Sequence, residues 1–122
     1  MKTKEEKKGI HFEVVGAQYR LTHDTMRILA ELSESDALRC DLEREPDNSA
    51  DPNAVRVIIT DPRVTGSERF FVGYLRRQAA SVLGPGLDKK KVELRAAWLE
   101  SLNPDSGQGV VLVDLKRVKV DN

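Results

Sequence analysis

Apolar and polar residues alternate along several short stretches of this chain and fall at helical spacing along two others. Ile10, Phe12 and Val14 alternate ahead of Gly16 and predict a first strand over 10–16. Residues 17–21 show no period. From Thr22 to Leu32, Met26, Leu29 and either Ile28 or Leu32 share a helical face, with Thr22 or Asp24 as N-cap. Ser33 to Asp36 is expected to end that helix. Strand alternation returns at Leu38, Cys40 and Leu42, predicting a strand over 38–45. The dense Pro, Asp, Asn and Ser cluster from Pro46 to Asn53 is a loop on turn chemistry alone. Val55–Thr60 is β-branched and reads as a buried strand. Asp61–Ser67 reads as a turn, with Phe70–Tyr74 as the hairpin partner beyond it. Leu75, Ala79 and Val82 share one face of a helix over 76–83, expected to stop at Gly84-Pro85-Gly86. Val92–Leu99 and Val110–Val118 are two further strands, joined through the loop Asn103–Gly107.

Two helices are too few for repeated crossovers, so short strands in this order predict a mainly β fold. The expected architecture is a six-stranded, mostly antiparallel, partly open barrel with two short helices. Residues 1–9 read as a flexible charged arm and 10–120 as one domain.

Composition narrows the function classes. The chain has 122 residues, 39% of them hydrophobic and 33% charged, which suits one globular domain with a heavily charged surface. No apolar run approaches the roughly 18 residues of a membrane helix. The charged start, Met1 to Lys8, does not resemble a secretory signal. A single cysteine, Cys40, fits a reducing cytoplasm and reads as a buried core thiol. With only His11 and His23 beside it, zinc chemistry is not expected. Formal net charge is zero, which argues against a sequence-blind DNA coat. The charge is uneven, though: acids dominate from Asp24 to Asp51, and Lys and Arg dominate from Arg69 onward. A basic site on a neutral protein suits a ligand held at one spot.

Catalytic signatures are absent. There is no Gly-x-Ser-x-Gly turn, no phosphate-binding Gly-rich loop, and His23 at a helix start is explained by its position. No enzymatic activity, cofactor or metal is expected. The loop 45–53 has no glycine and two prolines, so it fails the EF-hand pattern. Asp47, Asn48, Asp51 and Asn53 read as Asx-turn residues, or else Asn48 and Asp51 face a polar ligand. Arg76 and Arg77 stand at a predicted helix N-terminus, where positive charge is disfavoured. Either an anion at that helix start or nearby acids would compensate. Tyr74, just before, offers a stacking face for a base. Trp98 is either an inward core residue or a second aromatic contact.

Three segments together resemble the HIRAN domain family over about 10–118. They are Val14-Val15-Gly16-Ala17-Gln18-Tyr19, Leu42-x-Arg44-Glu45-Pro46-Asp47-Asn48-x-x-Asp51-Pro52-Asn53-Ala54-Val55-x-Val57, and Val72-Gly73-Tyr74-Leu75-Arg76-Arg77-x-Ala79. The resemblance implies an OB-like or SH3-like barrel that binds DNA. In eukaryotic Swi/Snf-type translocases this domain captures the 3′-hydroxyl end of a single strand, and bacterial stand-alone versions match this length. By position, Tyr19 would stack on a base, Asp51 would bond the terminal sugar hydroxyl, and Asn48 would line that end pocket. Tyr74 would flank it, Arg77 would contact phosphate, and Trp98 would wedge against a base. Two positions depart from the DNA-end binders: Ala50 replaces an aromatic, and Gln18 replaces a basic residue. Both imply weaker binding. The segment 22–35 also looks longer than the matching loop.

The expected function is therefore a single-stranded-DNA or 3′-end module in DNA repair or replication-fork processing, with a helicase or nuclease as possible partner. A protein-interaction adaptor on the same barrel is the alternative, favoured by net neutrality, Ala50 and the acidic stretch 24–51. An accessory subunit of a nuclease or helicase is the third.

Overall fold

A computed structural model describes residues 7–66 and 68–119. The first six residues of the expected arm, Ser67 of the expected turn, and Val120 lie outside the described residues. The elements in chain order are β1 (Ile10–Val15), a 3-10 turn (Ala17–Tyr19), α1 (His23–Ser35), β2 (Leu38–Arg44) and β3 (Val55–Ile59). After these come a single turn of helix, α2 (Pro62–Thr65), then β4 (Phe70–Leu75), α3 (Arg77–Asp88), β5 (Val92–Leu102) and β6 (Gly109–Arg117). The six strands form a closed barrel in the order β1-β4-β3-β2-β5-β6, and every pairing is antiparallel. Closure is thinnest at the β1–β4 seam, where only Val14 pairs with Leu75 and Val15 with Tyr74. At that seam Gly73 lies against Val15, whose carbonyl would sit 2.5 Å from any Cβ added there.

Alternation explains the core. Val14, Leu38, Cys40, Val57, Ile59, Val72, Ala97, Leu99, Val111 and Val113 all point inward and are buried. Full burial of a Val or Leu side chain contributes about 1.5–3 kcal/mol, so the inward rows hold the strand registers. The Cys40 thiol is among them; burial, with Asp41 adding to it, pushes its pKa up to about 12. Helix α1 starts where expected, with Thr22 Oγ1 accepting from the Thr25 amide at 3.1 Å. Met26 and Leu29 carry its buried face into the core. Among the described residues no helix is long and apolar enough to cross a membrane.

Three local expectations are corrected. Helix α1 does not stop at Leu32 but runs on to Ser35, ending at Asp36 inside the expected 33–36 break. The Ser33 and Ser35 hydroxyls donate back to the carbonyls of Ala30 and Leu32, each at 2.9 Å, so both side chains are satisfied within the last turn, the Leu32 carbonyl also accepting the Asp36 amide. The turn at 61–67 contains α2, started by Asp61, whose carboxylate accepts from the Arg63 amide, with Pro62 at the first helical position.

The third correction concerns α3, which does not stop at Gly84-Pro85-Gly86 but continues to Asp88. Tertiary contacts override the local stop signal. Gly84 is buried against the 46–53 loop, where an added Cβ would lie 2.7 Å from the Asn53 carbonyl and 3.4 Å from Arg44 Cζ. The extra turn delivers Asp88 to Arg44, with Nε to Oδ1 at 2.9 Å and a second nitrogen to Oδ2 at 2.8 Å.

Gly84→Ala tests this packing. In an open helix interior the change stabilises by about 1 kcal/mol. Here the Cβ meets backbone, so a loss of about 1–3 kcal/mol is expected as a lower urea midpoint. An unchanged or raised midpoint would show that the loop does not press on the helix.

Candidate functional site

Where β1 ends, β4 ends and β3 begins, a recess of about 300 Å³ opens beside the start of α3. Its lining draws Val15 from β1, Asn48, Ala50, Asp51 and Ala54 from the loop, Tyr74 and Leu75 from β4, and Arg77 from α3. Four of the residues singled out in sequence thus converge: Asn48, Asp51, Tyr74 and Arg77.

The loop owes its shape to side chains bonding backbone. Asn48 Oδ1 accepts from the amides of Ala50 and Asp51 at 2.9 and 3.0 Å, and Asp51 Oδ1 accepts from the Asn53 amide at 3.0 Å. These are the Asx turns that composition suggested, so Asn48 spends its oxygen on the loop itself. Arg44 ties the loop from behind, donating to the carbonyls of Ala54 at 2.6 Å and Pro52 at 2.9 Å. Asp51 Oδ2 faces the Arg77 Nε at 4.0 Å, a loose contact that leaves this oxygen able to accept from a ligand hydroxyl. Arg77 donates to the Ala50 carbonyl at 2.7 Å while its side chain stays 74% exposed.

Beneath the recess lies a polar hub that sequence reasoning missed. Glu45 Oε2 accepts from the Tyr74 hydroxyl at 2.9 Å and from Arg56 Nε, and its Oε1 accepts from Asn48 Nδ2 at 3.2 Å. The Arg56 guanidinium, helped by Tyr74 and Asn48, holds the Glu45 carboxyl below the ordinary carboxylate range, against the opposite pull of burial. Burial, and then the bond to Glu45, raise the Tyr74 pKa above its usual value, so the phenol stays a neutral donor. Arg20 completes the hub: it lies 3.8 Å over the Phe71 ring and donates to the Tyr74 hydroxyl at 3.3 Å. The available signal was cross-strand charge. Glu43 on β2 sits opposite Arg56 on β3, and Glu45 follows two residues on, at the end of the same row.

The remaining candidates stand apart from the recess. Tyr19, 86% exposed on the 3-10 turn, neighbours Arg20 but does not line the cavity. Arg76 is the N-cap residue of α3 and is ion-paired with Glu13, whose carbonyl also accepts the Arg76 amide at 2.9 Å. Trp98 lies on the outer face of β5, half-buried, with Lys7 Nζ 5.7 Å over its ring and Arg39 as its β2 neighbour. A register shift between Leu94 and Ala96 explains why Trp98 does not face inward with Leu94. Beyond that bulge the inward positions are Ala97 and Leu99.

The model of the HIRAN domain matches residues 8–110. The chain belongs to the HIRAN domain family. HIRAN domains are generally DNA-binding modules. Among solved structures, the HIRAN domain of human HLTF is 18% identical with a TM-score of 0.62, covering 88% of this chain and 74% of that one. A protein from Lactobacillus plantarum is 20% identical with a TM-score of 0.60, covering 84% of this chain and 87% of its own. Both share the fold. No curated protein matches the sequence.

The hub predicts acid sensitivity. A carboxyl with a lowered folded-state pKa stabilises the fold above its unfolded value, and that contribution fades as pH falls through the folded one. Urea midpoints taken from neutral pH downward should therefore fall below the carboxylate range, less steeply in Glu45→Gln than in the native chain. Equal slopes would remove Glu45 from the account.

Proposed function

We propose that this HIRAN domain binds single-stranded DNA and takes the 3′-hydroxyl end of the strand into the recess between the 46–53 loop and α3. The observation that carries this reading is the convergence of an aromatic ring, a carboxylate and an exposed arginine from three separate segments on one small cavity. Tyr74 offers a ring held by Glu45 and Arg20 for packing against a nucleotide. Asp51 Oδ2 accepts the terminal hydroxyl, and Arg77 takes the adjoining phosphate near the start of α3, where backbone N–H groups also favour an anion. Asn48 acts by shaping the loop. Tyr19 and Arg20 extend the contact along the strand outside the recess, while Arg76, already paired with Glu13, contributes little. Trp98 lies too far around the barrel to join this site and could meet only a longer strand. End capture of this kind serves repair or replication-fork processing beside a helicase or nuclease on another chain.

Ala50 sits on the rim, so the recess lacks an aromatic wall there. Stacking is worth about 1–3 kcal/mol per base, so Ala50→Tyr should tighten binding by about one to two orders of magnitude.

The test is fluorescence anisotropy with short single-stranded DNA bearing a free or phosphate-blocked 3′ end, over a salt series. Free-end DNA should bind more tightly than blocked DNA. Asp51→Asn, which keeps the Oδ1 cap, should erase that preference, and Arg77→Ala should lower the salt slope by about 0.7. Equal affinity for both ends would reject the end-reading role, and no binding at low salt would reject DNA as the ligand.

A further inference from the structure

A second cavity, of about 700 Å³, lies on the other side of α3, against the first half of β1 and the far ends of β5 and β6. It shares no lining residue with the recess described above. Its walls are apolar: Ile10 and Phe12 from β1, Val82 and Leu83 from α3, and Leu115 from β6 among them. Two of these are large side chains left in water, Val82 at 77% and Ile10 at 57% exposed. Single exposed apolar residues are ordinary, but two facing each other across one apolar groove are not.

Two further features say what fits the groove. Its only charged lining residues are Lys91 and Arg117, and neither is ion-paired with a carboxylate among the described residues. A twofold pairing of this groove with its copy would bring the same two cations against each other, which disfavours that self-association. The backbone beside the groove also lacks a neighbour. β1 pairs with β4 only through Val14 and Val15, so among the described residues Ile10 to Phe12 have a strand, β6, on one side only. Ile10 and Phe12, two residues apart, both face the groove, which gives it the strand period.

We infer that this groove is a docking site for an extended segment of a partner protein that alternates apolar and acidic residues. Its apolar side chains lie between β1 and α3, its carboxylates reach Lys91 and Arg117, and its backbone runs beside the unpaired half of β1. The proposal stands independently of DNA binding, because the two sites have separate walls.

Fluorescence anisotropy tests it with a short labelled peptide alternating valine and leucine with aspartate, and a counterpart carrying lysine in place of aspartate. The native chain should bind the acidic peptide and not the basic one. Val82→Asp, at an exposed helix position, should weaken binding by about tenfold or more. The double charge reversal Lys91→Glu with Arg117→Glu should exchange the preference toward the basic peptide, a result that misfolding cannot produce. Circular dichroism and urea midpoints like those of the native chain would establish that the variants are folded. Equal binding of both peptides, binding indifferent to Val82→Asp, or no binding of either would overturn the proposal. So would light scattering that shows a dimer abolished by Val82→Asp.

Discussion

The geometry of the recess depends on one guanidinium. Arg44, at the end of β2, has a side chain only 15% exposed and satisfies its charge entirely within the protein: Asp88 from α3, and the carbonyls of Pro52 and Ala54 from the loop. A charge so far out of water must be paired, and hydrogen bonds to charged groups contribute about 1.5–3 kcal/mol each. The end of β2, the loop that follows it and the distant helix α3 are thereby held at fixed distances. The loop cannot swing away from β3 without stripping Arg44 of two acceptors. Helix α3 cannot end early without stripping it of Asp88. The near wall of the recess is the loop and its far wall is the start of α3, so Arg44 sets the width of a cavity it does not line.

That dependence explains what could be read from the residues alone. The six strands were legible to within a few residues because each barrel strand has a buried face, and a buried face writes a period of two. The loop was legible because Asn48 and Asp51 bond their own backbone, a local chemistry. The end of α3 was not. Gly84-Pro85-Gly86 carries every local sign of a stop, and the force that overrides it comes from Arg44, forty residues earlier and on another element. The side on which Trp98 lies was left open for a related reason: a bulge at Leu94–Ala96 shifts the alternation, and nothing in the run of residues announces it. In the site, Tyr74 and Arg77 stood out by type and position. Glu45, Arg56 and Arg20 did not, because their roles exist only once β2, β3 and β4 lie side by side.

The neutral net charge also gains a local meaning. Arg56 is neutralised by Glu45, Arg44 by Asp88, and Arg76 by Glu13, so most arginines near the recess add no field of their own. Arg77, paired only loosely with Asp51 at 4.0 Å, is the exception on the recess wall. The recess itself therefore offers few cations to a phosphate backbone, and a modest salt slope from one to three phosphates is what it can support. On the proposed reading, affinity comes from shape, stacking and hydrogen bonds at one end of a strand, which suits a small recess better than a long groove.

The two cavities flanking α3 bear on how a strand and a protein partner would act together. Energetic coupling between two sites needs an element with two arrangements that both ligands bias. Helix α3 and strand β1 both border the two cavities, and α3 is pinned at each end: Arg76 to Glu13 at its start, and Asp88 to Arg44 at its finish. Moving it would break two ion pairs and press Gly84 into the Asn53 carbonyl. An element so fixed transmits little. Occupancy of one cavity should leave affinity at the other nearly unchanged, and the benefit of having both is one of tethering. A partner held in the groove raises the local concentration of whatever DNA it carries at the recess, and a strand end held in the recess does the same for the partner. For the two proposed ligands, the physics of the fold therefore favours independent occupancy over allosteric coupling.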